Sequence, residues 1–190
     1  MRYLISIFLF CVSLQMHAQQ TTYTEPVLTA TFLSPGITYE HPVGNKLTLK
    51  GKAAFTIGWS FSASSSLGQS YSLSPSPLAA GQFRYYYNFG LRKSKEKNIA
   101  HNSANYISFL ARYAYSGVTY YYGDQGNYSL KQTSHMPDFA IVWGIQRNYK
   151  NRFSIDCSVG PSLYDPIANN EFTLLADISL GIWLGRKHEH

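Results

Sequence analysis

From Phe172 to Leu184 every even-numbered residue is apolar: Phe172, Leu174, Ala176, Ile178, Leu180, Ile182 and Leu184. The odd positions carry Thr173, Asp177, Ser179 and Gly181, with Leu175 and Trp183 as exceptions. Successive side chains of a strand point to opposite faces, so this segment has one apolar wall and one mostly polar wall. A transmembrane β-strand needs about 9–11 residues when tilted. The segment is long enough.

The same parity recurs along the chain. In 47–61 the apolar face is Leu47, Leu49, Ala53, Phe55, Ile57, Trp59 and Phe61, opposite Thr48, Lys50, Lys52, Thr56 and Ser60. In 79–91, Phe83, Tyr85, Tyr87, Phe89 and Leu91 oppose Gln82, Arg84, Tyr86 and Asn88. In 105–117, Ile107, Phe109, Tyr113 and Tyr115 oppose Ser108, Arg112 and Ser116. In 137–147, Phe139, Ile141, Trp143 and Ile145 oppose Asp138, Gly144 and Gln146, and in 152–164, Phe153, Ile155, Cys157 and Val159 oppose Ser154, Asp156, Ser158 and Gly160. The phase flips across Ser34-Pro35-Gly36, a turn-forming tripeptide, which divides the start into strands over 24–33 and 36–43. A single bent strand with a bulge is the alternative there. The expected fold is all-β: a membrane-embedded, antiparallel up-and-down β-barrel of about eight strands with a polar, filled lumen.

Residues 1–18 read as a cleaved export signal, with Arg2, an apolar stretch from Leu4 to Leu14 and a cut before Gln19. Residues 19–190 then form one barrel domain. Cys11 leaves with the signal, so Cys157 stays alone and no internal disulfide can form. The net charge is +6 for the chain and +5 without Arg2. An exported basic chain does not imply nucleic acid. The abundant tyrosine suits lipid–water boundaries. The expected address is the outer membrane, with its lipids and, during insertion, the barrel-assembly machinery as partners, and the chain a monomer.

With the N-terminus on the periplasmic side, Ser34–Gly36, 63–76, 118–135 and 165–171 face outside, while 43–46, 92–104 and 148–150 face inside. The tip of 118–135 is the place for an extracellular ligand. The inner rim collects lysine and arginine, either as solvated turns or as a collar meeting anionic headgroups. Inside the barrel the polar parity places Glu40, Lys50, Lys52, Arg84, Arg112, Asp156 and Asp177. These seven are expected to form one charge network that plugs the lumen. If Gly44, Asn45 and Lys46 form a turn, Val43 opposes Leu47, and Glu40 opposes Lys50 as its ion-pair partner.

A soluble lipocalin-like barrel is the structural competitor, with the apolar face turned inward. It would have to fit too many aromatic rings into a small lumen. The strings Ser34-Pro35-Gly36-Ile37-Thr38-Tyr39-Glu40-His41-Pro42-Val43-Gly44, Arg84-Tyr85-Tyr86-Tyr87-Asn88, Asn102-Ser103-Ala104-Asn105-Tyr106-Ile107-Ser108 and Trp143-Gly144-Ile145-Gln146-Arg147-Asn148 resemble small outer-membrane barrels of Bacteroidetes-type Gram-negative bacteria. The resemblance implies a barrel and an outer-membrane address, and it brings no catalytic residues. The chain departs from such barrels in running on past Leu184 through Gly185-Arg186-Lys187-His188-Glu189-His190 rather than ending on an aromatic residue.

For chemistry, the best constellation is Ser134-His135 near Asp138, which would suit a lipid-modifying enzyme. His188 and His190 bracket Glu189, a weak metal pattern set against a frayed tail. Cys157 reads as a small hydrophobe. The expectation is therefore no enzyme, no cofactor and no metal, with a structural or surface-interaction role. A narrow channel or small-molecule transporter is the alternative, and a lipid-modifying enzyme the third class.

Overall fold

The computed structural model describes residues 23–64, 68–124, 126–131, 133–164 and 173–185. Ten strands alternate with short connections: β1 (Val27–Thr31), β2 (Gly36–Pro42), β3 (Leu47–Ser64), β4 (Gly68–Tyr86), β5 (Asn105–Ser116), β6 (Thr119–Gly123), β7 (Tyr128–Leu130), β8 (Ser134–Asn148), β9 (Phe153–Tyr164) and β10 (Leu174–Leu184). A short helix α1 (Phe89–Ser94) and a 3-10 turn (Ala100–Asn102) lie between β4 and β5. All pairings are antiparallel.

Written as a line of hydrogen-bonded neighbours, the sheet runs β3-β2-β1-β10-β9-β8-β5-β4-β6-β7, with apparent ends at β3 and β7. That line omits one pairing. β3 is also bonded to β4, from Leu47 opposite Tyr85 to Ser64 opposite Gly68. β3 therefore meets the far side of its own sheet, and β1–β5 with β8–β10 form a ring in which every strand has two partners. Among the described residues only β6 and β7 stand outside it, as a ribbon on the upper part of β4, where Ser70–Leu73 pair with Tyr120–Gly123. The ring closes.

Closure is visible inside it as well. Lys50 on β3 reaches Asp156 on β9, and Lys52 on β3 reaches Asp177 on β10. These strands are not neighbours in the sheet, so the side chains meet only by crossing the enclosed space.

Several expectations are corrected. Ten strands replace about eight, because the β6–β7 ribbon is added outside the ring, and the simple meander is interrupted at both ends. The expected outer loop 63–76 is mostly strand, because β3 and β4 continue well past the ring. The expected free loop 118–135 contains β6 and β7 and is bonded to β4, so its tip is a ribbon and not a projecting loop. The expected inner loop 92–104 is partly helical and folds back on the barrel end. Residues 24–43 are two strands paired to each other, which removes the bent-strand alternative. The turn at 43–46 forms as expected, with Val43 N–H donating to the Leu47 carbonyl at 2.9 Å.

The two faces are chemically opposite. Thr38, Glu40, Thr48, Lys50, Gln82, Arg84, Ser108, Asp138, Gln146, Asp156 and Ser158 are buried inside. Leu49, Ile57, Trp59, Phe83, Phe109, Ile141, Trp143, Ile178 and Leu184 are exposed outside, Trp59 by 76% and Ile178 by 59%. Buried ion pairs would also fit a water-soluble domain, and no described helix is long and apolar enough to cross a membrane. Neither observation addresses a barrel, which crosses with strands. The chemistry of the outer face is the observation that bears on it. Monomeric soluble proteins rarely expose contiguous apolar patches beyond a few hundred Å², whereas here every ring strand presents its large apolar side chains outward.

The address is a separate question. The export signal lies outside the described residues. The expected outer-membrane address, its lipids and the assembly machinery rest on that signal, whereas the described residues carry the inverted burial pattern.

Candidate functional site: the charged lumen

The lower half of the lumen is built around Arg84, which is 1% exposed. Its position on β4 points inward by parity, and its guanidinium lies 4.0 Å from the centroid of the Tyr106 ring. Nη2 donates to Asp156 Oδ2 at 2.7 Å, Nη1 to Gln146 Oε1 at 2.6 Å and Nε to Gln82 Oε1 at 2.6 Å. Glu40 stands 3.9 Å away. A buried guanidinium is tolerated only when its fork is filled in this way.

The two carboxylates are equally well held. Asp156 also accepts from Lys50 Nζ at 2.7 Å and from the Tyr106 hydroxyl at 2.7 Å. Glu40 accepts from Thr48 Oγ1 and from the Tyr86 hydroxyl, each at 2.6 Å, and from Gln146 Nε2 at 3.1 Å. Gln146 thus bridges the two halves of the cluster. Two cations and two anions cancel, and six of the eight ring strands contribute.

Gly144 makes this geometry possible. It pairs with Tyr106, and a Cβ there would lie 2.2 Å from the tyrosine ring. Without a side chain, β8 lets the ring lie against its backbone with the hydroxyl aimed at Asp156.

The single network expected from the sequence is corrected to three separate groups. Glu40, Lys50, Arg84 and Asp156 come together. Lys52 pairs with Asp177 at 3.5 Å, and Arg112 with Asp138 at 2.6 Å. Glu40 does sit opposite Lys50 in register, yet the two are not ion-paired. Lys50 turns across the lumen to Asp156 because Glu40 is already filled by a threonine, a tyrosine and a glutamine. Asp138 is legible from its polar parity, although proximity in sequence sets it beside His135. Gln146, Tyr86 and Tyr106 escape a reading of the sequence. Their only signal is the same inward parity, and nothing in parity says who meets across a lumen.

His135 and Asp138 of the candidate enzyme constellation are not brought together. Asp138 points inward to Arg112 and to the Ser162 hydroxyl. His135 is exposed on the outer face, where Nδ1 meets the Tyr113 hydroxyl and the ring lies edge-on to Tyr115. An odd and an even position on one strand cannot share a site. Among the described residues no group of three or more metal-binding side chains occurs. His188, Glu189 and His190 lie outside the described residues. Cys157 is a free thiol on the outward parity.

Little space remains between these groups. The cavity lined by Thr38, Lys50, Lys52, Gln82, Asp156 and Asp177 measures about 10 Å³, room for one water at most.

Below the cluster the β4–β5 connection closes the end of the barrel. Phe89 is fully buried, stacked on Tyr23 at 5.8 Å and packed on Tyr86 at 5.0 Å. Asn102, Ser103 and Ala104 are buried. His101 and Asn102 both have left-handed backbones, with φ of 54° and 60°, a region histidine and asparagine enter more readily than most residues. Glu25 fixes them: its N–H donates to Asn102 Oδ1 and its carbonyl accepts from Asn102 Nδ2, both at 2.9 Å. The His101 carbonyl accepts from Gln146 Nε2 at 3.3 Å and so ties this cork to the charge cluster.

No family model matches the chain, and no curated protein or solved structure matches it either. The filled lumen, the cork and the apolar wall are the ground on which its function can be read.

Proposed function

We propose that the protein is a sealed, non-catalytic β-barrel scaffold, held in an apolar phase by its outer wall and acting through its two ends. The observation that carries this reading is the filled interior: paired charges, a cavity of about 10 Å³ and a corked lower end. An eight-stranded ring is just wide enough for side chains to fill. Ions need a continuous wet path, and here the guanidinium of Arg84 and the rings of Tyr86 and Tyr106 occupy it.

The apolar wall supports the second half of the reading. Exposed leucine, isoleucine, phenylalanine and tryptophan side chains on every ring strand would cost roughly 25 cal/mol per Å² to leave in water. An acyl-chain phase removes that cost. A catalytic role has no support from His135 and Asp138, which lie on opposite faces.

Planar-bilayer recording on the refolded chain tests the seal. The expected result is no steady conductance; discrete, reproducible openings of the wild-type protein would overturn the reading. Density flotation with neutral vesicles tests the wall, with the expected result that the folded chain floats and resists alkaline extraction. A folded monomer remaining in the aqueous fraction would overturn it.

A further inference from the structure

The charges of this molecule are sorted by height. In the lumen four cations face four anions: Lys50, Lys52, Arg84 and Arg112 against Glu40, Asp138, Asp156 and Asp177. At the upper end the described residues hold Asp124 and Lys131, which cancel. The whole net charge of the described residues therefore lies at the lower end, the end closed by the cork.

Three connections bring it there. The β4–β5 connection carries Arg92, Lys93, Lys95 and Lys97. The β2–β3 turn adds Lys46, and the last residues of β8 and the turn after it add Arg147, Lys150 and Arg152. Glu25 and Glu96 are the acids on this end. None of these eight cations is in an ion pair among the described residues. Arg92 donates to the Asn98 carbonyl at 2.7 Å, and Arg147 to Asn105 Oδ1 at 2.6 Å, neutral contacts that leave the charge uncompensated. Lys95, Lys97 and Lys150 are exposed. A lumen neutralised charge for charge beside an end this unbalanced points to a partner that supplies the anions.

The position of the cations identifies that partner. They surround the rim of a barrel whose outer wall is apolar, and aromatic side chains lie next to them. Trp143 Nε1 donates to the Tyr87 hydroxyl at 2.7 Å with both rings exposed on the outer face, and Tyr149 is exposed beside them. Amphipathic rings followed by cations, at the edge of an apolar band, match the layering of a bilayer: acyl chains, then the interface, then headgroups. A linear polyanion would call for a stripe or groove instead of a rim.

We infer that the corked end is an electrostatic docking face for anionic lipid headgroups, which sets the depth and the sidedness of the barrel. This rests on the lipid-facing reading of the wall. The test uses the full chain added to vesicles of neutral phosphatidylcholine, and to the same vesicles with about one third phosphatidylglycerol, at low and high salt. The expected result is adsorption about tenfold or more stronger on the anionic vesicles at low salt, falling to under about twofold at high salt. Lys95→Gln, Lys97→Gln and Lys150→Gln together should erase most of that difference while leaving flotation with neutral vesicles unchanged. Arginine at the same three positions should retain it.

Equal adsorption to both vesicle types, or a preference that survives high salt, would overturn the docking face. So would a glutamine triple variant that keeps the full preference. Failure to float with neutral vesicles while the salt-sensitive preference persists would instead sink the wall and leave the docking face standing.

Discussion

The lower and upper halves of the barrel obey the same two-residue alternation and are filled in different ways. Below, β2, β3, β4, β5, β8 and β9 send in Glu40, Lys50, Arg84, Tyr106, Gln146 and Asp156, large groups that meet across the lumen. Above, β3 and β4 send in Thr56, Ser74 and Ser76, small groups that reach only a neighbour, as Ser74 reaches Thr119 at 2.8 Å. The outer wall is apolar in both halves, from Leu49 up to Phe61. Binary pattern thus sets which face is which, and the size of the inward side chains sets which half is locked.

The largest test of that difference is Arg84→Ala. It leaves the buried Glu40 with no ion-pair partner and Asp156 with Lys50 alone, and removing one member of a buried ion pair costs roughly 3–5 kcal/mol. Denaturant unfolding in detergent or vesicles should show a loss of that size, and an effect under about 1 kcal/mol would mean that the lower half is not the locked one.

Next comes Ile178→Arg against Ser158→Arg. On a wall in contact with acyl chains the first should cost roughly 2–4 kcal/mol near the middle of the apolar band. On a wall in contact with water it would fall within about 0.5 kcal/mol of wild type. Equilibrium unfolding separates the two, and near-neutrality of Ile178→Arg would give the outer face to water.

Lys50→Ala should cost less than Arg84→Ala, because Asp156 keeps both Arg84 and the Tyr106 hydroxyl. A hydrogen bond to a charged group is worth roughly 1.5–3 kcal/mol. Combining Glu40→Lys with Lys50→Glu tests who pairs with whom. Lys50 bonds Asp156, so the swap places a second carboxylate beside Asp156 and should not restore stability. Recovery to wild-type stability would reinstate the direct Glu40–Lys50 pair.

The smallest effect is expected above. Ser74→Ala removes one half-exposed hydroxyl contact to Thr119, and roughly 0.5–1.5 kcal/mol bounds the loss. Hydrogen exchange should show it confined to the β3–β4–β6 ribbon. Slower or unchanged exchange in the ribbon, with loss of protection around Arg84, would show the halves to be one cooperative unit.

Much of the architecture is legible residue by residue. The parity of Leu174, Ala176, Ile178 and Ile182 gives the outward face of β10, and the flip at Ser34-Pro35-Gly36 divides β1 from β2. The Val43–Lys46 turn follows from its glycine and asparagine. The ribbon is not legible, because Tyr120-Tyr121-Tyr122-Gly123 lies among polar turn residues and has no clear partner until β4 is seen to overrun the ring. The cork is not legible either. Phe89 has the parity of the wall but turns inward when the chain leaves the strand for α1, and His101 and Asn102 depend on Glu25, far away in sequence.

The amino-acid order alone is enough to set the alternation, and with it a polar interior under an apolar wall, because a strand's side chains can point only two ways. It is also enough to say which charged residues lie inside. How those charges pair is a property of the closed ring. Lys50 lies opposite Glu40 along the sheet and bonds Asp156 across the lumen, since closure places strands far apart in sequence within a side chain's reach of one another. Register is a local property of two neighbouring strands, whereas the choice of a buried ion-pair partner depends on every group that the ring brings into the same dry space.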